Sequence, residues 1–207
     1  VSIYWHMISK LLLATQENYF LAKNNKLLNS KIAQDFKHYY FKIRSGLSAS
    51  KSPKEYGAFP FDPYSHTPSH SGAQQPGMTG QVKEEIITRF GELGCFVEDG
   101  CIVFDTSLLP KSEFLKTEKE FSYFDTSKQK CQIRISQNQL AYTFCQVPVI
   151  YTLSKLNSSV TLYLKDETKV TIKGNTIDKE NSKFIFERAG KVKKIENIIN
   201  NIEVEYE

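Results

Sequence analysis

No run of apolar residues in this chain approaches the ~20 that a membrane-crossing helix needs, so no membrane partner is expected. A formal net charge of +4 comes from lysines scattered among glutamates, without the concentrated basic stripe of a nucleic-acid footprint. The Lys191-Val192-Lys193-Lys194 run reads as an exposed strand face. Four cysteines, Cys95, Cys101, Cys131 and Cys145, show neither a Cys-x-x-Cys pair nor a disulfide-framework spacing. Lying among apolar residues, they predict reduced, partly buried thiols and a cytoplasmic protein, with a Cys95–Cys101 bridge across a turn as the lesser alternative. There is no glycine-rich nucleotide loop, no Gly-x-Ser-x-Gly elbow and no cysteine–histidine pairing that spacing supports.

What is present is ample apolar material: 207 residues, 40% hydrophobic and 13% aromatic, enough to core one large or two small domains. Ile3, Met7, Leu11 and Ala14, flanked by Tyr4, Ile8, Leu12 and Tyr19, recur at three- and four-residue steps and predict an amphipathic helix over about 3–23. A second helix follows Asn24-Asn25, capped by Asn29 or Ser30, striped by Ile32, Phe36, Tyr39, Tyr40 and Ile43, and ended by Gly46. A third begins at the N-cap Thr79, buries Val82, Ile86, Phe90 and Leu93, and stops at Gly94. Three helices joined by so long a loop carry more apolar face than they can hide among themselves, which predicts a further layer. The chain also opens inside a helical pattern without an initiator methionine, so a fragment of something longer is expected.

Residues 46–78 form a proline- and glycine-punctuated loop too long to be a mere connection and too aromatic for a disordered linker. It reads as a binding loop. Tyr64 can stack on a sugar ring, and the Gln74-Gln75 amides suit a hydroxyl-rich ligand. Thr79-Gly80 opens a helix, where free N–H groups and the helix dipole favour an anion, although a plain N-cap is the commoner meaning. His66 and His70 are four apart, but Pro68 between them rules out one helical face. A metal there, with Asp62 as third ligand, is the weaker reading, and neither metal nor cofactor is expected. Glu84 and Glu85, being adjacent, point in different directions and make a poor acid–base pair.

After Gly94 the apolar period shortens from about 3.6 to 2. Cys95-Phe96-Val97 and Cys101 to Phe104 flank Asp99-Gly100, a hairpin signal. Further strands are expected at 132–135, 140–144, 147–153, 160–164, 169–172 and 184–186, with an irregular crossing from Leu108 to Phe121. The fold class expected is α+β: a helical segment over 1–94, then an antiparallel β-sandwich over 95–207.

The order of these parts resembles a known family. Tyr4-Trp5-His6-Met7, Pro63-Tyr64-Ser65-His66-Thr67, Pro76-Gly77-Met78-Thr79-Gly80, Phe90-Gly91-Glu92-Leu93-Gly94, Cys101-Ile102-Val103-Phe104-Asp105 and Leu108-Leu109-Pro110 follow one another over residues 1–125. They are similar to the C-terminal end of cellobiose phosphorylase-like enzymes, glycoside phosphorylases and hydrolases built on an (α/α)6 toroid that runs into a small β-sandwich. The resemblance implies that His6, Thr79 and Gly80 hold inorganic phosphate as co-substrate, and that His66 lies near the saccharide with Tyr64, Gln74 and Gln75. It implies an oligosaccharide or disaccharide partner, the rest of a parent chain and, as an open option, a homodimer. Two departures stand out: Gln81-Val82-Lys83-Glu84 replace the family's small residues and tryptophan, and no position matches its general-acid aspartate. The catalytic acid is therefore expected upstream, and the piece alone inactive. Alternatives are an inverting hydrolase with Asp62 or Glu84 as base, or a non-catalytic helical and β-sandwich module for carbohydrate or protein binding.

Overall fold

The computed structural model describes residues 2–25, 30–47 and 80–200, with the backbone alone for residues 2–6 and 80–82. The chain divides into two compact units, Val1–Gly91 and Glu92–Glu207, and its overall class is mixed α and β.

In the first unit, α1 spans Ser2–Asn24, α2 Ser30–Arg44, and α3 begins at Gly80 and runs to Leu93. The helices lie where their periodicity places them, but the buried stripe is turned. Ser9, Leu12, Thr15, Gln16, Tyr19 and Ala22 are buried on α1, whereas Met7 and Leu11 remain about half exposed. On α3 the expected face is likewise displaced: Ile86 and Phe90 are exposed while Thr88 is buried. Ile32 and Tyr39 of α2 are exposed, and Ala33 and Tyr40 form its buried contact. When apolar residues occupy more than half of a helix circumference, spacing alone cannot choose the inward side. Here buried polar groups choose it.

The second unit starts with the hairpin β1 (Cys95–Glu98) and β2 (Cys101–Phe104), turned at Asp99-Gly100 as expected. Gly94 precedes it with φ +67°, a left-handed conformation suited to ending a helix. A side chain there would also collide with the Asp105 carbonyl. The rest comprises β3 (Lys119–Phe124), β4 (Lys130–Ile135), β5 (Gln139–Phe144), β6 (Val147–Leu153), β7 (Ser159–Leu164), β8 (Lys169–Lys173) and β9 (Thr176–Ile177). Helix α4 (Lys179–Phe186) and strand β10 (Val192–Ile199) complete it. A five-stranded sheet has the order β5-β6-β10-β7-β8, beside a three-stranded β1-β2-β9 and the β3-β4 pair.

Three expectations are corrected. Residues 184–186 are helical, because Asp178 caps α4 by accepting the Asn181 N–H at 2.9 Å and Ser182 pins it to the sheet, receiving the Ile102 N–H at 2.9 Å. The large sheet is mixed rather than antiparallel, since β10 runs parallel to β6 with Ile195 opposite Val149. The stretch from Leu108 to Phe121 is not irregular to its end: it enters β3 at Lys119. In the lysine-rich run Lys191 and Lys193 are exposed, as expected of a strand face, while Val192, Ile195, Asn197 and Ile199 bury β10 between β6 and β7.

One core joins the sheets. Ile102, Phe104, Ile177 and Ile185 meet Val149, Tyr151, Val160, Leu162 and Ile195. All four cysteines are free thiols, so no Cys95–Cys101 bridge forms. Among the described residues, no helix is long and apolar enough to cross a membrane.

Candidate functional site

The site expected from the sequence divides between described and undescribed residues. Gly80 is the first residue of α3, and His6 lies in the first turns of α1, where only backbone is described. Thr79, Tyr64, His66, Gln74 and Gln75, with residues 48–78 of the expected binding loop, lie outside the described residues.

What the first unit does define is the joint between the two helices that carry His6 and Gly80. The Gln16 amide, almost fully buried, donates to the Thr88 carbonyl at 2.8 Å and to the Tyr40 hydroxyl at 3.2 Å. One side chain thus ties α1 to α3 and α2. Gly91 lies against the same amide, and a Cβ at that position would overlap it. His6 is ten residues before Gln16, and Gly80 eight before Thr88, about 15 and 12 Å of helix rise from the shared crossing. Three residues after His6, the fully buried Ser9 hydroxyl has no hydrogen-bond partner among the described residues. A buried, unanswered hydroxyl costs about 1–3 kcal/mol and marks a position where a polar group is wanted.

The second unit holds two clusters of titratable groups. Tyr142 and Tyr151 share a 2.8 Å hydroxyl contact, and Tyr151 donates to the Leu93 carbonyl at 2.7 Å. Burial pushes both phenols well above their ordinary range. Burial likewise lifts the neighbouring Cys95 thiol to about 11, against a smaller opposing hydrogen bond with Tyr142. Groups this reluctant to ionise hold the core rather than transfer protons.

The other cluster lies on the large sheet, where Glu196 accepts from Tyr163 at 2.5 Å and from Lys194 at 2.7 Å. Lys194 also sits 3.9 Å from the Tyr163 ring centre, a cation–π contact. The hydrogen bond to Glu196, then burial, pushes the Tyr163 phenol up to about 12. Burial works to raise Glu196, but the bonds from Lys194 and Tyr163 outweigh it and hold the carboxyl below its ordinary value. Every member is satisfied by another, which describes a structural brace. Among the described residues no group of three or more His, Cys, Asp or Glu is arranged to hold a metal.

No protein-family model matches the chain, and no curated protein matches it at a significant level.

Proposed function

We propose that this chain is the closing part of a carbohydrate-active enzyme acting on glycosidic bonds, an inverting glycoside phosphorylase. Its helices would end an (α/α)6 toroid and its second unit would be the β-sandwich-type domain that follows. The observation that carries this reading is the set of apolar side chains left in solvent on α1 and α3. Met7, Leu11, Leu21, Ile86 and Ile87 are each at least half exposed, at 58, 50, 68, 53 and 52%. Apolar surface repeated along neighbouring helices marks a surface that another element covers. Preceding helices of a ring are the occupant that the motif order points to.

The chemistry follows from inversion. Phosphate, held by His6 and by the N–H groups at Thr79-Gly80, attacks the anomeric carbon from the side opposite the leaving sugar. The glycosidic C–O bond breaks as an upstream carboxylic acid gives its proton to the departing oxygen. Tyr64, His66, Gln74 and Gln75 would line the sugar site. The unpartnered Ser9 hydroxyl supports a polar ligand near His6. With water as nucleophile the same frame would hydrolyse instead, with Asp62 or Glu84 as base. A non-catalytic carbohydrate-binding or interaction module is the second reading, supported by the complete core of the second unit.

The test is phosphorolysis of a disaccharide panel by the polypeptide that carries this chain. Release of sugar 1-phosphate is expected, and His6→Ala should reduce it at least about tenfold while leaving the melting temperature near wild type. An unchanged rate in a well-folded variant would exclude the role given to His6, and no release from any substrate would favour the non-catalytic module.

A further inference from the structure

The second unit contains a cleft that none of the above explains. It has a volume of about 450 Å³, inside the ~300–1,000 Å³ range of small-molecule sites. Two turns build it. One joins β3 to β4 and supplies Asp125, Thr126 and Ser127; the other joins α4 to β10 and supplies Arg188, with Lys193 following from β10 itself. Tyr123 adds an aromatic wall and Lys165 a third cation.

The charges are unequal. Arg188, Lys193 and Lys165 face one acid, Asp125, and none of the three has an ion-pair partner among the described residues. Asp125 is already committed. Its Oδ1 accepts the Ser127 and Gln129 N–H groups at 2.8 and 2.9 Å, and its Oδ2 lies 3.8 Å from the Cys131 thiol. Gln146 fixes the same turn by donating to the Asp125 carbonyl at 3.1 Å. The acid therefore shapes the wall, and the cations are left for a ligand. The Thr126 and Ser127 hydroxyls make no hydrogen bond among the described residues, so donors flank the cations.

We propose that this cleft binds a monosaccharide-sized organic anion. Its carboxylate or phosphate lies among Arg188, Lys193 and Lys165, and its body rests against Tyr123. An arginine suits either head group, because its planar fork pairs with two oxygens at once. Tyr123 lines the cleft with an aromatic ring held by stacking on Phe121 at 5.9 Å. Hydrogen bonds from Ser127, Gln129 and Gln146 hold the β3–β4 turn in shape before any ligand arrives, which lowers the entropic cost of binding. This site shares no residue with His6, Thr79 and Gly80 and stands or falls apart from the phosphorolysis reading.

The experiment is amide-resolved NMR titration of the full chain with four probes: glucose 6-phosphate, glucuronate, inorganic phosphate and glucose. The first two, up to roughly 10 mM and so ample for millimolar affinity, are expected to shift Thr126, Ser127, Ala189, Gly190 and Lys193. Their relative strength distinguishes a phosphate head from a carboxylate. Inorganic phosphate alone should bind more weakly at these amides, and neutral glucose should not shift them. The double variant Arg188→Ala/Lys193→Ala, altering two exposed side chains, should weaken binding at least about tenfold. Lys173→Ala on β8, which changes the overall charge equally per residue, should leave affinity within about twofold. His6→Ala should leave it unchanged. Absence of localised shifts with both sugar anions, or equal losses in the Lys173 variant and the double variant, would overturn the proposal.

Discussion

The Gln16 amide donates to the Thr88 main-chain carbonyl at 2.8 Å, across 72 residues of sequence, and so fastens α1 to α3. The same nitrogen reaches the Tyr40 hydroxyl, so one side chain holds three helices. Gly91 is small because that amide occupies the space where its Cβ would stand.

Replacing Gln16 with Ala should therefore cost the first unit about 1–3 kcal/mol, because it removes two buried hydrogen bonds. Gly91→Ala should cost about 1–3 kcal/mol by displacing the amide. Combined, the two should cost clearly less than their sum, since without the glutamine the added methyl has room. Urea unfolding followed by fluorescence of Trp5, the single tryptophan of the chain and a member of this unit, reads the cycle directly. Strict additivity would mean that glycine and glutamine do not share this joint.

Tyr151→Phe tests the core of the second unit. The substitution keeps the ring that packs edge-on against Phe104 at 5.9 Å. It strips the hydroxyl from the Leu93 carbonyl and from Tyr142. A loss of about 1–3 kcal/mol is expected in denaturant unfolding monitored by circular dichroism. Tyr142→Phe should cost less, because the bond to Leu93 survives.

The Glu196 brace gives a pH signature. Its folded carboxyl titrates below the ordinary value of 4.5, so its contribution is complete above that value. It is lost as pH falls through the lowered folded value. Glu196→Ala should thus be less stable than wild type at neutral pH by about 0.5–1 kcal/mol, with the gap closing in acid. At the alkaline end the sign reverses. Tyr163, raised to about 12, contributes fully below its ordinary 10 and loses that contribution as pH climbs through about 12. In the variant the phenol should titrate nearer 10, visible by ultraviolet absorbance.

Cys95 should resist thiol reagents while the protein is folded. Burial lifts its thiol from 9.0 to about 11, which lowers the thiolate fraction about a hundredfold. Alkylation at pH 8, mapped by mass spectrometry, should label the half-buried Cys101 and Cys131 first and Cys95 only after unfolding.

The helices and the first hairpin were legible because their signals are local. Ser30 opens α2, Gly94 follows the end of α3, and Asp99-Gly100 turns β1 into β2. The inward face of α1 was not, because it is set by Gln16 meeting Thr88, two polar residues that no hydrophobic period registers. Phe184-Ile185-Phe186 looks like a strand until Asp178 is recognised as a helix cap, a signal present six residues earlier. The central place of β10 depends on its parallel neighbour β6, a pairing that sequence spacing does not encode. The same holds for the proposed anion cleft, whose Tyr123, Arg188 and Lys193 come from β3, the turn after α4 and β10 and share no motif. The proposed phosphate set of His6, Thr79 and Gly80 rests on the order of short motifs and, for Thr79-Gly80, on the start of a helix.

In the proposed function these helices close a phosphate-binding enzyme whose other helices cover Met7, Leu11, Ile86 and Ile87. Its most direct measurement is the melting temperature of the polypeptide carrying this chain, titrated with inorganic phosphate, for wild type and for His6→Ala. The account predicts a rise with phosphate that grows logarithmically with concentration once the site is saturated, and a much smaller rise in the variant. Identical curves with and without phosphate, or an identical rise in both proteins, would contradict it.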